Sequence, residues 1–259
     1  MPELPEVETL KRQLKDNILD DAIEKIVFID TNIAHFFISP NRIIKNIERI
    51  GKYLCIILDN NQQIVIHLRM SGKMLLMKNG SEISKYTRFV IKTNRWDIFC
   101  TDPRRFATIN LCENFYRQAI VINPLEKFSL TKLMDFSASR KTTIKQFLLN
   151  QEVIAGIGNI YVCEILFSSS ITPHRKTSSI NKDEWRKIVK ETRKILSLAI
   201  SCRGTSISDW RDAFGNKGMY QEKLLVYGRA KQNCPKCENS IVREVIAGRG
   251  TYFCPNCQK

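Results

Sequence analysis

Two groups of residues in this chain have the types and spacing that chemistry needs: four cysteines near the C-terminus, and a proline with three glutamates at the N-terminus. Cys234, Cys237, Cys254 and Cys257 follow C-x2-C-x16-C-x2-C in "CPKCENSIVREVIAGRGTYFCPNC". Two tight knuckles at that spacing present four thiolates to one tetrahedral Zn(II). With cysteine at every ligand position no site is left for a reactive water, so one structural zinc ion is expected, without chemistry of its own. Two disulfides, the competing pairing, suit an oxidising compartment. The other cysteines, Cys55, Cys100, Cys112, Cys163 and Cys202, share no ligand spacing and read as core or surface thiols.

At the other end, "MPELPEVETL" places Pro2, Glu3, Pro5, Glu6 and Glu8 ahead of any long apolar pattern. Once an aminopeptidase removes Met1, Pro2 begins the chain with a secondary amine that can attack an aldehyde or a sugar C1′ and form a Schiff base. An α-amine of pKa ~7.7–8 is roughly a quarter to a third unprotonated near neutral pH, against about a thousandth for an ordinary lysine. Glu3 beside it can pass protons to a sugar ring oxygen. The bland alternative is that Glu3, Glu6 and Glu8 favour the positive end of a helix whose apolar positions are Val7, Leu10 and Leu14. Taken alone, these ten residues favour the helix-end reading.

The rest of the chain must position these groups. Its 259 residues suffice for more than one core, and 43% hydrophobic against 26% charged residues is a globular composition. With 41 Lys+Arg against 26 Asp+Glu the formal charge is +15, which points to a polyanionic partner such as nucleic acid. No apolar run approaches the ~18 residues of a membrane span, and the acidic start lacks the order of a signal peptide, so the reading is intracellular with reduced thiols.

Up to about residue 126 the runs "EKIVFID", "KYLCIILDNNQQIVIHL", "RFVIKT" and "WDIFCTD" predict a mostly antiparallel β-rich unit. From about 130 the pattern turns helical. "IKQFLLNQEVIAGIGNIYVCEILFSSSI" predicts a short helix, a turn at Gly156–Gly158 and a second helix from Asn159. "KDEWRKIVKETRKILSLAI" carries an apolar stripe through Trp185, Ile188, Val189, Thr192, Ile195, Leu196 and Ala199, with a basic outer face. The expected organisation is 1–126, 130–228 and 229–259, with "NPLEKFS" (123–129) as the join. Between the cysteine pairs, "SIVREVIAGRGTYF" predicts a hairpin with Arg249 at its tip.

Several short segments together now resemble one family. "PELPEVET" (2–9), "GKYL" (51–54), "HLRMSG" (67–72), "TDPRRF" (101–106), "GIGNIY" (156–161), "VYGR" (226–229) and the four-cysteine ribbon fall in the order found in bacterial formamidopyrimidine-DNA glycosylases. The resemblance covers essentially the whole chain. It implies an α+β fold: an N-terminal β-sandwich flanked by helices, a helix-two-turn-helix domain and a zinc ribbon, with duplex DNA in the cleft between the halves. It also implies a bacterial, cytoplasmic base-excision-repair enzyme, both glycosylase and AP lyase, that removes oxidised purines such as 8-oxoguanine. A monomer suffices for one duplex.

The resemblance assigns roles residue by residue. Pro2 is expected to be the nucleophile at C1′ and Glu3 the general acid and base, with Glu6 a supporting carboxylate. Lys52 matches the lysine that contacts phosphate near the lesion. Asn159 at a helix N-terminus and Arg249 at the ribbon tip are expected to hold phosphate as well. Extrusion of a base leaves a gap in the duplex. Met70, Arg104 and Phe106 match the residues that fill it, the arginine facing the orphaned base and the other two wedging the stack. Glu164 matches an acidic position of less defined role. "FGNKGMYQE" (214–222) matches the loop that closes over the damaged base, so Lys217, Gly218, Met219 and Tyr220 are expected to select substrate.

The chain departs from the family pattern in places. Where the family's strand often carries two histidines, "KYTRF" (85–89) has Tyr86 and Arg88, and Arg88 is expected to keep an attraction for phosphate. Ala107 stands where glycine is usual. Three other functions fit parts of the sequence. An endonuclease VIII-type enzyme for oxidised pyrimidines usually begins PEGPE and keeps its wedge in one loop. A noncatalytic DNA-binding protein would not need Pro2-Glu3. An RNA- or ribosome-associated zinc protein leaves the N-terminus unexplained.

Overall fold

The computed structural model of the chain describes residues 1–115, 122–126 and 128–259, so Lys127 of the expected join lies outside it. Two compact units emerge, one of Met1–Ile120 with Ile200–Gln221, the other of Val121–Ala199 with Glu222–Lys259.

The first unit opens with helix α1 (Leu4–Ile18), which starts at Glu3 and carries a proline in its first turn. Val7, Leu10, Leu14 and Ile18 lie one turn apart, and all four are buried in the core. Eight strands follow: β1 (Ala22–Phe28), β2 (Arg42–Ile50), β3 (Tyr53–Leu58), β4 (Gln62–His67), β5 (Lys73–Lys78), β6 (Thr87–Thr93), β7 (Trp96–Thr101) and β8 (Thr108–Glu113). Every ladder is antiparallel, in the order β5-β7-β6-β1-β2-β3-β4-β8. Between β1 and β2 only Ala22↔Ile43 and Ile23↔Arg42 pair, so the sheet forms two four-stranded halves of a β-sandwich. Ile56, Ile64, Ile66 and Ile109 from one half share a core with Phe89, Ile91, Ile98 and Met74 from the other. Each such side chain contributes about 1.5–3 kcal/mol by leaving water.

The β3–β4 turn is tight because Asn61 takes a left-handed conformation (φ 66°), which asparagine tolerates better than most residues. Residues 200–221 complete this unit, and Trp210 and Ala213 join its core.

The second unit holds helices α2 (Leu130–Ala138), α3 (Ile144–Leu149), α4 (Asn159–Ser169) and α5 (Lys182–Ser201, of which residues to 199 belong here). Thr143 and Gln146 form a capping box that starts α3, and Gly156 (φ 103°) turns the chain towards α4. Helix α4 is apolar nearly all round and is buried accordingly. Helix α5 buries Trp185, Ile188, Thr192, Ile195, Leu196 and Ala199 as the stripe predicted, with Val189 half-buried. The expected ribbon hairpin is β9 (Val242–Ile246) and β10 (Arg249–Phe253), paired from Ile246↔Arg249 at the tip. Among the described residues, no helix is long and apolar enough to cross a membrane.

Candidate active site and zinc centre

Pro2 and Glu3 are both buried at the start of α1. Glu6, 1% exposed, sets their backbone: one carboxylate oxygen accepts from Glu3 N at 2.8 Å and the other from Thr205 N at 2.7 Å. Part of the bland helix-end reading is therefore also true, since this is a capping box. Gly204 lets Thr205 come so close. A Cβ at Gly204 would lie 2.6 Å from Glu6 Oε1, and its φ of 79° itself favours glycine. Glu8 points elsewhere. Burial raises its pKa, but the Arg49 guanidinium at 2.9 Å, with Arg12 and Lys11, outweighs that and holds the carboxyl below its ordinary value.

Lys52 lies just before β3 and is 8% exposed. His67 at the end of β4 is held near pKa 4 by burial, with the charges of Arg69 and Lys52 adding to the effect. It is thus neutral at pH 7, and its Nδ1 accepts from Arg69 N at 2.9 Å. The next residue, Met70, is 47% exposed, and Phe106 is 52% exposed. Arg104 Nη1 reaches Met70 Sδ at 3.9 Å, so the structure brings these two expected residues together. Asp102 joins their loops, accepting from Ser71 Oγ (2.6 Å) and from the backbone N–H groups of Arg104 (3.1 Å), Phe106 (2.8 Å) and Ala107 (2.7 Å).

Arg88 does not offer its charge to solvent as expected. It is 3% exposed and pairs with Asp30 and, at 3.9 Å, with Asp102. Buried on β6 beside two buried carboxylates, the guanidinium is ion-paired to both, although its Nε and Nη1 make no hydrogen bond of good geometry. Tyr86 is exposed, under the ammonium of Lys85.

In the 214–222 segment Lys217 and Met219 are exposed, whereas Tyr220 is 3% exposed and donates its N–H to Gly204 O. Buried Asp212 anchors the segment by accepting from Phe214 N, Asn216 N and the Gln13 amide of α1.

In the second unit, Asn159 begins α4 behind Gly158, which supplies no side-chain cap, so the backbone donors of the first turn have no side chain capping them. Its Nδ2 donates to Gly250 O at 2.8 Å, placing it beside Arg249, whose side chain is exposed. Lys145 of α3 is wholly buried and donates to Thr251 Oγ1 at 2.5 Å, and burial pulls its pKa down, opposed by Cys163 and aided to a lesser degree by the charge of Arg249. Sequence reasoning passed over Lys145, which looked like one basic residue among many. Glu164 proves to be an anchor: its buried carboxylate accepts from the N–H groups of Leu225 and of Val226 and Tyr227, the first two residues of the "VYGR" segment.

The sulfur atoms of Cys234, Cys237, Cys254 and Cys257 all lie within 4.8 Å of one another, with Cys234–Cys257 at 3.8 Å and Cys237–Cys254 at 3.5 Å. Tetrahedral zinc with Zn–S bonds of about 2.3 Å needs sulfurs about 3.8 Å apart. The cluster fits one structural zinc ion, which cross-links two knuckles and offers no open position.

Three family profiles match the chain: "Formamidopyrimidine-DNA glycosylase N-terminal domain" over residues 1–109, "Formamidopyrimidine-DNA glycosylase H2TH domain" over 122–210, and "Zinc finger found in FPG and IleRS" over 231–259. With the fold, these define the class, a DNA glycosylase made of a β-sandwich, a helix-two-turn-helix domain and a zinc ribbon. Formamidopyrimidine-DNA glycosylase of Carboxydothermus hydrogenoformans is 39% identical, and that of Rickettsia bellii 33%, each over all of both chains. Among solved structures, the Lactococcus lactis enzyme with DNA containing an abasic site superposes with TM-score 0.91 at 30% identity, covering 99% of each chain. The same enzyme with DNA containing N7-benzyl-Fapy-dG gives TM-score 0.91 at 31% identity over all of both. The chain belongs to the formamidopyrimidine-DNA glycosylase family.

Proposed function

We propose that the chain excises oxidised purines, 8-oxoguanine and formamidopyrimidines, from duplex DNA and then cleaves the backbone at the abasic site through an imine on Pro2. The observation that carries this reading is the buried Pro2-Glu3 pair fixed by both oxygens of Glu6. Relatives of known structure hold Fapy-dG-type or abasic DNA.

With Met1 removed, the Pro2 nitrogen bonds to C1′ and gives up its proton, the C1′–O4′ bond breaks as Glu3 protonates the ring oxygen, and the base leaves with its bonding pair and takes up a proton, leaving an iminium between Pro2 and C1′. The resulting iminium acidifies the C2′ proton. Its removal expels the 3′ phosphate, and a second elimination expels the 5′ phosphate, giving β,δ-elimination. Lys52 on the first unit, and Asn159 with Arg249 on the second, supply donors to the DNA phosphates. Met70, Arg104 and Phe106 fill the gap left by the extruded nucleotide, and the loop bearing Lys217 and Tyr220 selects the base. Zinc, when bound, folds the ribbon that carries Arg249 and takes no part in bond breaking.

Borohydride trapping of the Met1-processed protein on a duplex containing 8-oxoguanine, with the adduct mapped by mass spectrometry, tests the reading. An adduct on Pro2 is expected. A related Lactococcus lactis complex contains an oxidised pyrimidine, so a thymine glycol duplex is the second arm. Trapping there alone would reassign the substrate, and trapping on neither would remove catalysis.

A further inference from the structure

Arg88 is buried where the family pattern often has histidine, and what it touches leads to two loops on the surface. Its Nε faces Asp30 and its Nη1 lies 3.9 Å from Asp102. Asp102, 1% exposed, holds Ser71 beside Met70 and the backbone of Arg104, Phe106 and Ala107. Asp30 in turn receives Nε of Arg105 at 2.8 Å and, more closely, its Nη2. One guanidinium thus bridges two carboxylates that between them grip loop 102–107 in the middle and at both ends.

These loops need gripping. Arg69 (φ 54°) and Arg105 (φ 60°) both sit in the left-handed region, which is strained for a residue with a Cβ. Asp102 is buried with four donors, and a polar group of this kind is costly to bury unless its partners are held in place. Arg88 is the counter-ion common to both acids.

We propose that Arg88 is a positioning residue for the wedge, a buried cation joining Asp30 to Asp102 so that Met70, Arg104 and Phe106 are preset before the base leaves the duplex. The inference rests on reading those three residues as the wedge.

The test uses the full Met1-processed chain and a duplex with 2-aminopurine next to 8-oxoguanine, whose fluorescence rises as the stack opens. Cleavage of a duplex with a preformed abasic site serves as control. Arg88→Met should slow opening roughly tenfold while abasic cleavage stays within about twofold. In a Phe106→Ala background the same change should cost little more, because both act on one wedge. Arg88→Lys keeps the charge but its ammonium spans one carboxylate, so an intermediate slowing of about threefold is expected. Equal slowing on both duplexes, multiplicative effects in the double variant, or a folded Arg88→Lys that opens DNA at the unmodified rate would each overturn the proposal. Phe106→Ala separates the two ideas. Normal opening in that variant removes the wedge reading itself, whereas slow opening there with normal opening in Arg88→Met removes only the role of Arg88.

Discussion

At the scale of single residues, chemistry and support share the same few carboxylates. Glu3 is the proton carrier of the proposed reaction and also begins α1, while Glu6 holds it from behind. Pro2→Gly leaves a primary amine at the same place and should weaken excision. Glu3→Gln removes the proton carrier and should reduce it by about a hundredfold or more, with thermal stability little changed. Unchanged excision in a folded Glu3→Gln would end its assignment. His67 gives a second prediction at this scale. It is held near pKa 4 when folded, against 6.5 for a free histidine. Unfolded chains therefore take up a proton first as pH falls, and stability drops between about pH 6.5 and 4 by up to roughly 3 kcal/mol. His67→Gln, which can still accept from Arg69 N, should shrink the loss of Tm between pH 7 and pH 5. Parallel Tm curves for the two proteins would show that His67 is not the titrating group.

At the scale of elements, Gly204 and Lys145 each join two segments. Gly204→Ala would press a methyl group onto Glu6 Oε1 and strain a left-handed turn, so excision should fall about tenfold or more with only part of that loss explained by melting. If activity fell no further than the folded fraction did, the contact with Glu6 would matter only for stability. Lys145→Met keeps the length of the buried stem but removes the donor to Thr251, and should weaken binding to abasic duplex several-fold without changing trapping at saturating DNA.

The elements differ in how plainly the sequence announces them. α1, α5 and the cysteine hairpin follow from periodicity and ligand spacing, because each buries a regular stripe or closes on four identical ligands. β2, "RIIKNIERI", has charged residues at Arg42, Lys45, Glu48 and Arg49 and a half-buried pattern, so its alternation is weak. Asp102 lay inside a recognised motif, yet its hold on two loops depends on how β7 delivers it beside Ser71, 31 residues away in sequence. Arg88 looked like a surface cation because residue type says nothing about which carboxylates a fold will place around it.

At the scale of the whole molecule, charge and metal act together. A net +15 favours loose, salt-sensitive binding to any duplex. Arg249→Ala should lower affinity across sequences alike and reduce the salt slope by about one. An unchanged slope would place Arg249 away from the phosphates. Cys254→Ser removes one of four thiolates and should lower bound zinc and DNA affinity together. A metal-free variant that bound duplex normally would separate the ribbon from binding.

The partnership of Glu6 with Thr205 also sets a timetable for synthesis. The N-terminal residues leave the ribosome first, but the amide that completes their carboxylate pocket arrives about two hundred residues later. At about 5–20 residues per second that is a delay of roughly 10 to 40 s. During this interval the N-terminal segment, proposed above to carry the nucleophile, is without its finished surroundings, and the first unit lacks the segment that closes its core around Trp210 and Ala213. A chain stopped by premature termination before residue 200 would stay in that state, so fragments of this protein should be poor catalysts and ready substrates for proteolysis.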